Sequence, residues 1–213
     1  MAFSRCRERR RGEAHGFRLL LLVWLMGLPC TVYALDARHI AIQGNGRGAA
    51  ACAACHGANG AGQPAAGFPY LAGLNARYLR RQLDAMADGT RAAPVMRPIA
   101  LALSPEERAA LTIYYSRMRN RLQIAPPPVA SPELGAALAT RGRWTRQLPA
   151  CDQCHGPQGR GAGEHFPPLA GQPAAYLSAQ LQAFQQGQRR DDPMGLMRHV
   201  ATQLNPAEVA AVA

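Results

Sequence analysis

The sequence contains no lysine, few acidic residues and no long apolar run. All 24 basic residues are arginine, against 13 Asp and Glu residues, which gives the 213-residue chain a formal net charge of +11. A charge of this size usually points to nucleic acid as a partner. The most apolar stretch, residues 19–28, is too short for a membrane-spanning helix, which needs about 20 residues. A hydrophobic content of 48% is still enough to build cores, and it excludes a mainly disordered chain.

Residues 1–34 have the features of an export signal. Six arginines in residues 1–18 precede the apolar residues 19–28, and Val32-Tyr33-Ala34 supplies a small-x-small cleavage pattern. We therefore predict a Sec-type signal peptide that is cleaved after Ala34, and a periplasmic protein. A retained N-terminal anchor is the alternative. Cleavage lowers the net charge to +7 and removes two of the six cysteines, so nucleic acid is not the expected partner.

The four cysteines that remain after cleavage all lie in one repeated pattern. Each pair is separated by two residues and followed directly by histidine, which is the attachment sequence for a c-type haem. Two thiols at this spacing can each add across a vinyl group of the porphyrin, and the next side chain can then reach the iron. Two copies predict two haem c groups. The residues are Cys52, Cys55 and His56 in the first copy and Cys151, Cys154 and His155 in the second.

Disulfides, a thioredoxin-like redox pair and a zinc site are the alternatives for these motifs. A disulfide or redox Cys-x-x-Cys does not require the following histidine, and a zinc site needs four ligands that converge in space. One zinc site could combine both motifs, but it would have to fuse two halves that each look complete. Covalent haem attachment takes place on the export side of the membrane, so the signal peptide and the haem motifs support each other.

The similarity between the two halves extends well beyond these motifs. Residues 67–73 are matched by residues 165–171, and Met96 by Met197, each methionine being followed by arginine. Parallel order of this kind indicates a tandem duplication. A Pro-rich segment between the halves reads as a stiff linker. The predicted domains are residues 35–125 and 131–213, joined by a linker over residues 126–130.

The apolar spacing in both halves is helical, and no segment alternates convincingly with the period of a strand. We predict an all-α protein. Capping-box patterns at Ser104 and Asn205 mark the start of the final helix in each half. The final helix of the second half is about two turns short, because residue 213 corresponds to residue 112. Further helices are predicted over residues 36–43, 75–88, 131–147 and 173–186.

This organisation resembles the di-haem class I c-type cytochromes of the cytochrome c4 family over nearly the whole mature chain. The resemblance rests on the two haem motifs, the Phe-Pro-x-Leu-Ala-Gly segments, the Tyr-Leu helices and the Met-Arg segments. It implies two tandem cytochrome c domains, each wrapped around a covalent haem. The carbonyls of Pro69 and Pro167 would accept hydrogen bonds from the imidazoles. The implied axial ligands are His56 and Met96 for the first iron, and His155 and Met197 for the second.

The methionine ligands have competitors within the chain. In the first half, Met86 lies on an apolar helical face and Met118 inside the last helix, so both are predicted to be packing residues. In the second half, Met194 and His199 compete with Met197. The repeat register favours Met197, because arginine follows it and the distance to the next helix start is the same as for its counterpart. Thioether and imidazole are both established haem ligands.

Several other residues are predicted to have ordinary structural roles. Trp144, Tyr70 and Tyr78 are expected in the core or at the edge of a haem. Arg97 and Arg198 could either neutralise haem propionates or be solvated.

The resemblance implies an electron carrier between respiratory or dehydrogenase partners, and no acid/base constellation accompanies either motif. We therefore predict an electron-transfer protein rather than an enzyme. The alternatives are a di-haem subunit of a larger dehydrogenase or terminal oxidase, and a di-haem peroxidase-type enzyme. Residues 35–125 carry 11 arginines against 5 acids, and residues 126–213 carry 7 against 6. We expect the first domain to dock on an acidic redox protein, with a membrane-bound oxidase or reductase as another possible partner.

Overall fold

The computed structural model describes residues 36–119 and 132–213, which are helical and contain only isolated β-bridges instead of strands. The all-α prediction is confirmed. The predicted signal peptide, residues 1–34, and the predicted linker, residues 126–130, lie outside the described residues. The first half contains α1 (Ala37–Gln43), α2 (Ala53–His56), α3 (Ala76–Asp88), α4 (Met96–Ala102) and α5 (Pro105–Ser116). The second contains α6 (Pro132–Arg141), α7 (Cys151–His155), α8 (Ala174–Gln185), α9 (Leu196–Thr202) and α10 (Pro206–Val212).

The helix α3 begins and ends where the sequence predicts. The side chain of Asn75 accepts hydrogen bonds from the backbone N–H groups of Arg77 and Tyr78, which have no partner within the helix. At the other end, Gly89 adopts a left-handed conformation with φ of 86°, which a glycine tolerates without strain. Local chemistry therefore determines both ends of the helix.

The final helix of each half starts with the predicted capping box. Ser104 and Glu107 exchange side-chain-to-backbone hydrogen bonds at the start of α5, and Asn205 and Glu208 do so at the start of α10. Each glutamate is also buried and paired with arginine: Glu107 with Arg47, and Glu208 with Arg143 and Arg146. The glutamate thus joins the final helix to the loop that precedes the haem motif.

The helix α6 is shorter than predicted. The sequence predicts a helix to about residue 147, whereas α6 ends at Arg141 and Gly142 takes a φ of 68°. A β-carbon at Gly142 would lie 2.4 Å from the carbonyl oxygen of Leu148. The chain therefore turns sharply at this glycine and returns towards Cys151 instead of continuing as a helix.

Each half has its own small core. Tyr70 and Tyr78 are buried in the first half as predicted, but Trp144 is 64% exposed, so its predicted place in the core is wrong. Trp144 lies in the turn that follows Gly142, which carries it away from the core. The first core is built around Ile40, Tyr70, Leu74, Leu79, Leu103, Leu111 and Tyr115, and the second around Leu138, Leu148, Leu204 and Val209.

In the second half, α6 crosses α10 at very short range. A β-carbon added to Gly135 would lie 2.0 Å from the backbone oxygen of Ala211. Glycine at this position therefore lets the two helix backbones touch.

The two halves contact each other through backbone hydrogen bonds. The N–H group of Ala92 donates to the carbonyl of Gln188 at 2.8 Å, and that of Arg190 donates to the carbonyl of Thr90 at 2.7 Å. Together they form a short antiparallel bridge. Among the described residues, no helix is both long and apolar enough to cross a membrane.

Side chains extend this interface on either side of the bridge. Gln172 exchanges two hydrogen bonds of 3.2 Å with the backbone of Tyr70, whose hydroxyl donates to the carbonyl of Ala170. On the surface, Arg77 pairs with Glu164 at 2.9 Å. The interface therefore combines a buried polar centre with a solvent-exposed ion pair.

Candidate haem sites

The four predicted attachment cysteines lie at the same two places in the repeat. Cys52 directly precedes the short helix α2 and Cys55 lies within it, whereas Cys151 and Cys154 both lie in α7. All four are free thiols and partly buried. Burial raises the pKa of the Cys52 and Cys151 thiols, so these two are protonated at neutral pH.

Each predicted proximal histidine makes the same hydrogen bond. His56 Nδ1 lies 2.8 Å from the carbonyl oxygen of Pro69, and His155 Nδ1 lies 2.8 Å from that of Pro167. Because a carbonyl can only accept a hydrogen bond, Nδ1 carries the hydrogen in both imidazoles. The lone pair is therefore on Nε2, where it is free to bind a metal.

The surroundings keep these imidazoles neutral. Burial lowers the pKa of His56 and of His155, although the proline carbonyls oppose this shift. The Nε2 atom of His155 is buried and has no hydrogen-bond partner. A buried polar atom without a partner is costly in a folded protein, and an iron ion at this position would satisfy it.

A cavity of about 1230 Å³ connects the two motifs. It exceeds the roughly 300–1,000 Å³ of a typical pocket for one small molecule, which agrees with room for two large cofactors. The cavity wall contains all four attachment cysteines and both histidines, together with apolar side chains of both halves. The residues that are present therefore fit two covalently attached haems.

The structure places the predicted methionines differently from their competitors. Met96 and Met197 each lie in the first turn of a helix, α4 and α9, and both line the cavity. Met194 also borders the cavity, but its side chain is 96% exposed, whereas Met96 and Met197 are partly buried. His199 is exposed, with Nε2 near the carbonyl of Gln147. Iron ligation by Met96 and Met197 stays a prediction, and these positions favour it.

Met86 and Met118 differ in their surroundings. Met118 packs against the first core, as predicted. Met86 lines the cavity, so a bound haem would be among its packing partners.

The structure does not bring the motifs together as a zinc site. Within residues 36–119 and 132–213, no group of three or more His, Cys, Asp or Glu side chains is arranged to hold a metal ion. The fused four-ligand site is therefore not formed. A haem, by contrast, takes only one histidine from each motif.

The sequence patterns do not predict a buried cluster of arginine and glutamine side chains at the interface. Arg91 and Arg189 are both buried and both line the cavity. The signal that could have revealed them is their separation of 98 residues, which is the same as that of Tyr78 and Tyr176. Surface arginines are so frequent in this chain that a buried pair does not stand out.

Comparison with known proteins agrees with the resemblance to di-haem cytochromes c. The family model described as Cytochrome c matches residues 44–118 and 133–213. The chain is 48% identical over 195 residues to the thiosulfate dehydrogenase electron acceptor of Stutzerimonas stutzeri, with 87% of each chain covered. It also resembles the crystal structure of reduced recombinant cytochrome c4 from Pseudomonas stutzeri, with 34% identity and a TM-score of 0.69. That match covers 76% of this chain and 89% of the other.

A third match is part of a longer protein. The solved structure of thiosulfate dehydrogenase from Marichromatium purpuratum, in its as-isolated form, is 47% identical to this chain with a TM-score of 0.77. The match covers 83% of this chain but only 38% of the longer one. The present protein carries single electrons on two c-type haems, and its protein partners are redox proteins. It belongs to the cytochrome c family, as a di-haem member of the cytochrome c4 type.

Proposed function

We propose that this chain is exported and that it accepts electrons, one at a time, from a thiosulfate dehydrogenase. The observation that carries the proposal is the 48% identity, over most of both chains, to a protein named as the electron acceptor of that enzyme. The longer thiosulfate dehydrogenase chain that contains a similar segment supports the same pairing. Export rests on the signal-like residues 1–34.

The chain's own residues would prepare each haem for single-electron transfer. A bound haem supplies an iron that alternates between the ferric and ferrous states. The cysteine pairs would hold the porphyrin edge, and the hydrogen bonds to Pro69 and Pro167 orient the imidazoles. Met96 and Met197 would complete the coordination, and a thioether ligand favours the ferrous state. With both ligands bound, neither iron would have an open position for substrate chemistry.

We also propose a docking face around α4 in the first half. Leu101 is 57% exposed on α4, and Arg97 is exposed on the same helix. Val95, which is 62% exposed, lies next to Met96 at the edge of the haem cavity. Apolar side chains next to a cation suit a partner with acidic residues around an apolar contact. The larger excess of arginine in the first half supports this choice.

The test is a stopped-flow experiment with the purified holoprotein, a thiosulfate dehydrogenase and thiosulfate. We expect both haems to be reduced, at a rate that falls as ionic strength rises. Arg97→Glu should slow the reduction, whereas Arg198→Glu, the matched change in the second half, should slow it much less. Reduction no faster than that of an unrelated cytochrome c would reject the thiosulfate dehydrogenase partner. Equal effects of the two variants would reject the docking face.

Export has a separate test. Mass analysis of the protein from the periplasm should show a chain that begins at Leu35. A full-length mass in the membrane fraction would support the retained anchor instead.

A fixed complex is the second candidate, favoured by the longer chain of Marichromatium purpuratum. In that arrangement the protein would remain bound to its dehydrogenase through many turnovers. Co-purification of a stable complex at physiological salt, with no free holoprotein, would support this candidate over the diffusing carrier.

A further inference from the structure

Across residues 36–119 and 132–213, two arginines are buried at the interface, and only one of them is paired with a carboxylate. Arg91 is 5% exposed and Arg189 is 7% exposed. Asp191 accepts a hydrogen bond of 2.9 Å from Arg189 Nε. Burial alone would raise the pKa of Asp191, but Arg189 holds it below its usual range, so the pair is ionised. In the part of the chain that the structure describes, no carboxylate lies within 4 Å of the Arg91 guanidinium.

The partners of Arg91 are all neutral. Its guanidinium donates to Gln82 Oε1 at 2.6 Å, to the Tyr176 hydroxyl at 2.9 Å and to Gln180 Oε1 at 2.7 Å. These oxygens satisfy hydrogen bonds, but they do not neutralise the charge. Buried charges in folded proteins are normally paired with an opposite charge. Asp191 attracts Arg91 from beyond 4 Å, since Arg91 also helps to lower the pKa of Asp191, but its hydrogen bond is to Arg189. Among the residues that the structure describes, Arg91 therefore has no anion in direct contact.

The buried cluster contains equivalent residues from both halves, with one exception. Gln82 and Gln180 each accept a hydrogen bond from both guanidinium groups. Position 93, which corresponds to Asp191 at the repeat distance of 98 residues, is alanine. The carboxylate is thus present on one side of an otherwise symmetric arrangement.

The cavity supplies a place for the missing anion. Arg91 and Arg189 line the same cavity as the two haem motifs, and the carboxylates of the propionate groups are the charged substituents of a haem. We propose that Arg91 binds a propionate carboxylate of one haem, and that Asp191 makes the electric field at the two haems unequal by neutralising Arg189. This inference depends on haem binding alone and is independent of which enzyme reduces the protein.

The proposal predicts opposite signs for two substitutions. A ferric haem carries one more positive charge than a ferrous haem, so a nearby cation raises the reduction potential and a nearby anion lowers it. Arg91→Gln should therefore lower the midpoint potential of at least one haem. Asp191→Asn, which keeps a hydrogen-bond acceptor, should raise at least one. Arg91→Lys keeps the charge and should change the potentials less than Arg91→Gln does.

The experiment is a spectroelectrochemical titration of both haems in the full holoprotein. Arg77→Gln is a matched control, because Arg77 is an exposed arginine at the same interface. Asp88→Asn controls for the aspartate, because Asp88 is exposed, lies outside the cavity and accepts a hydrogen bond from the backbone of Thr90 beside the bridge. Resonance Raman spectra of the propionate bending vibrations provide a second measurement, which should change in Arg91→Gln and stay unchanged in Arg77→Gln.

The outcomes separate an electrostatic role from a structural one. Opposite shifts in the Arg91 and Asp191 variants, each larger than its control, would support the proposal. If Arg91→Gln only lowers the unfolding midpoint while both potentials stay within the control range, the proposal is wrong. Equal shifts in Arg91→Lys and Arg91→Gln would also overturn it. If Arg91→Gln fails to retain haem, Asp191→Asn decides: a rise in potential supports the proposal, and no change overturns it.

Discussion

Replacing Gly135 by alanine should destabilise the second half, although alanine is the better helix former. The added β-carbon would lie 2.0 Å from the backbone oxygen of Ala211, whereas ordinary contacts begin at 3.4 Å. The helices α6 and α10 would have to separate by about 1.4 Å. The oxygen belongs to a helix backbone and cannot rotate away as a flexible side chain could.

Two opposing effects determine the size of the change. Overpacking a well-packed contact costs about 1–3 kcal/mol, and contact with a rigid backbone places Gly135→Ala at the upper end of that range. Alanine recovers about 1 kcal/mol of helix propensity relative to glycine. We therefore expect a net loss of about 1–2 kcal/mol. For a unit of this size, each kcal/mol lowers the unfolding midpoint by about 4–8 °C.

The assay is thermal unfolding of the holoprotein, followed by far-ultraviolet circular dichroism and by the haem absorbance. Ala136→Gly changes the exposed neighbour of Gly135 in α6 and measures the propensity effect without the steric contact. An unchanged or higher midpoint in Gly135→Ala would show that the helices separate freely, and the reasoning from backbone contact would be wrong.

Two further predictions concern the second half. Burial alone would raise the pKa of Glu208, but the Asn205 N–H group and Arg143 hold it below its usual value of 4.5. Its contribution to stability should be complete above about pH 4.5 and be lost as the pH falls through the lower folded-state value. Urea unfolding at several pH values should show a smaller loss in Glu208→Gln than in the wild type, because Asp191 and the other carboxylates of lowered pKa still contribute in both; an equal loss would show that Glu208 contributes nothing. Met197→Ala should remove about half of the near-infrared methionine-to-iron band, while Met194→Leu leaves the band unchanged; the reverse result would move the ligand to Met194.

The features that the sequence predicted well depend on neighbouring residues. The ends of α3 depend on Asn75 and Gly89, and the start of α10 depends on Asn205 and Glu208 three residues later. Such interactions are visible as short patterns in the chain. The cysteine and histidine of a haem motif are likewise fixed by local spacing.

The features that were missed depend on distant residues. Arg91 is buried because its partners Tyr176 and Gln180 lie 85 and 89 residues away, and no local pattern distinguishes it from a solvated arginine. The exposure of Trp144 follows from the turn at Gly142, which must bring Leu148 back towards the core. Here the tertiary arrangement overrides what the side chain alone would favour.

The backbone bridge between the halves has a consequence for how a duplicated chain can diverge. The hydrogen bonds of Ala92 and Arg190 join main-chain atoms, so substitutions elsewhere in the two copies do not remove them. The same main-chain contact was therefore available to two newly duplicated copies, whatever their side chains. Mutation could then alter the side chains around the bridge one at a time, and an aspartate could arise on one side only, while the pairing of the copies persisted.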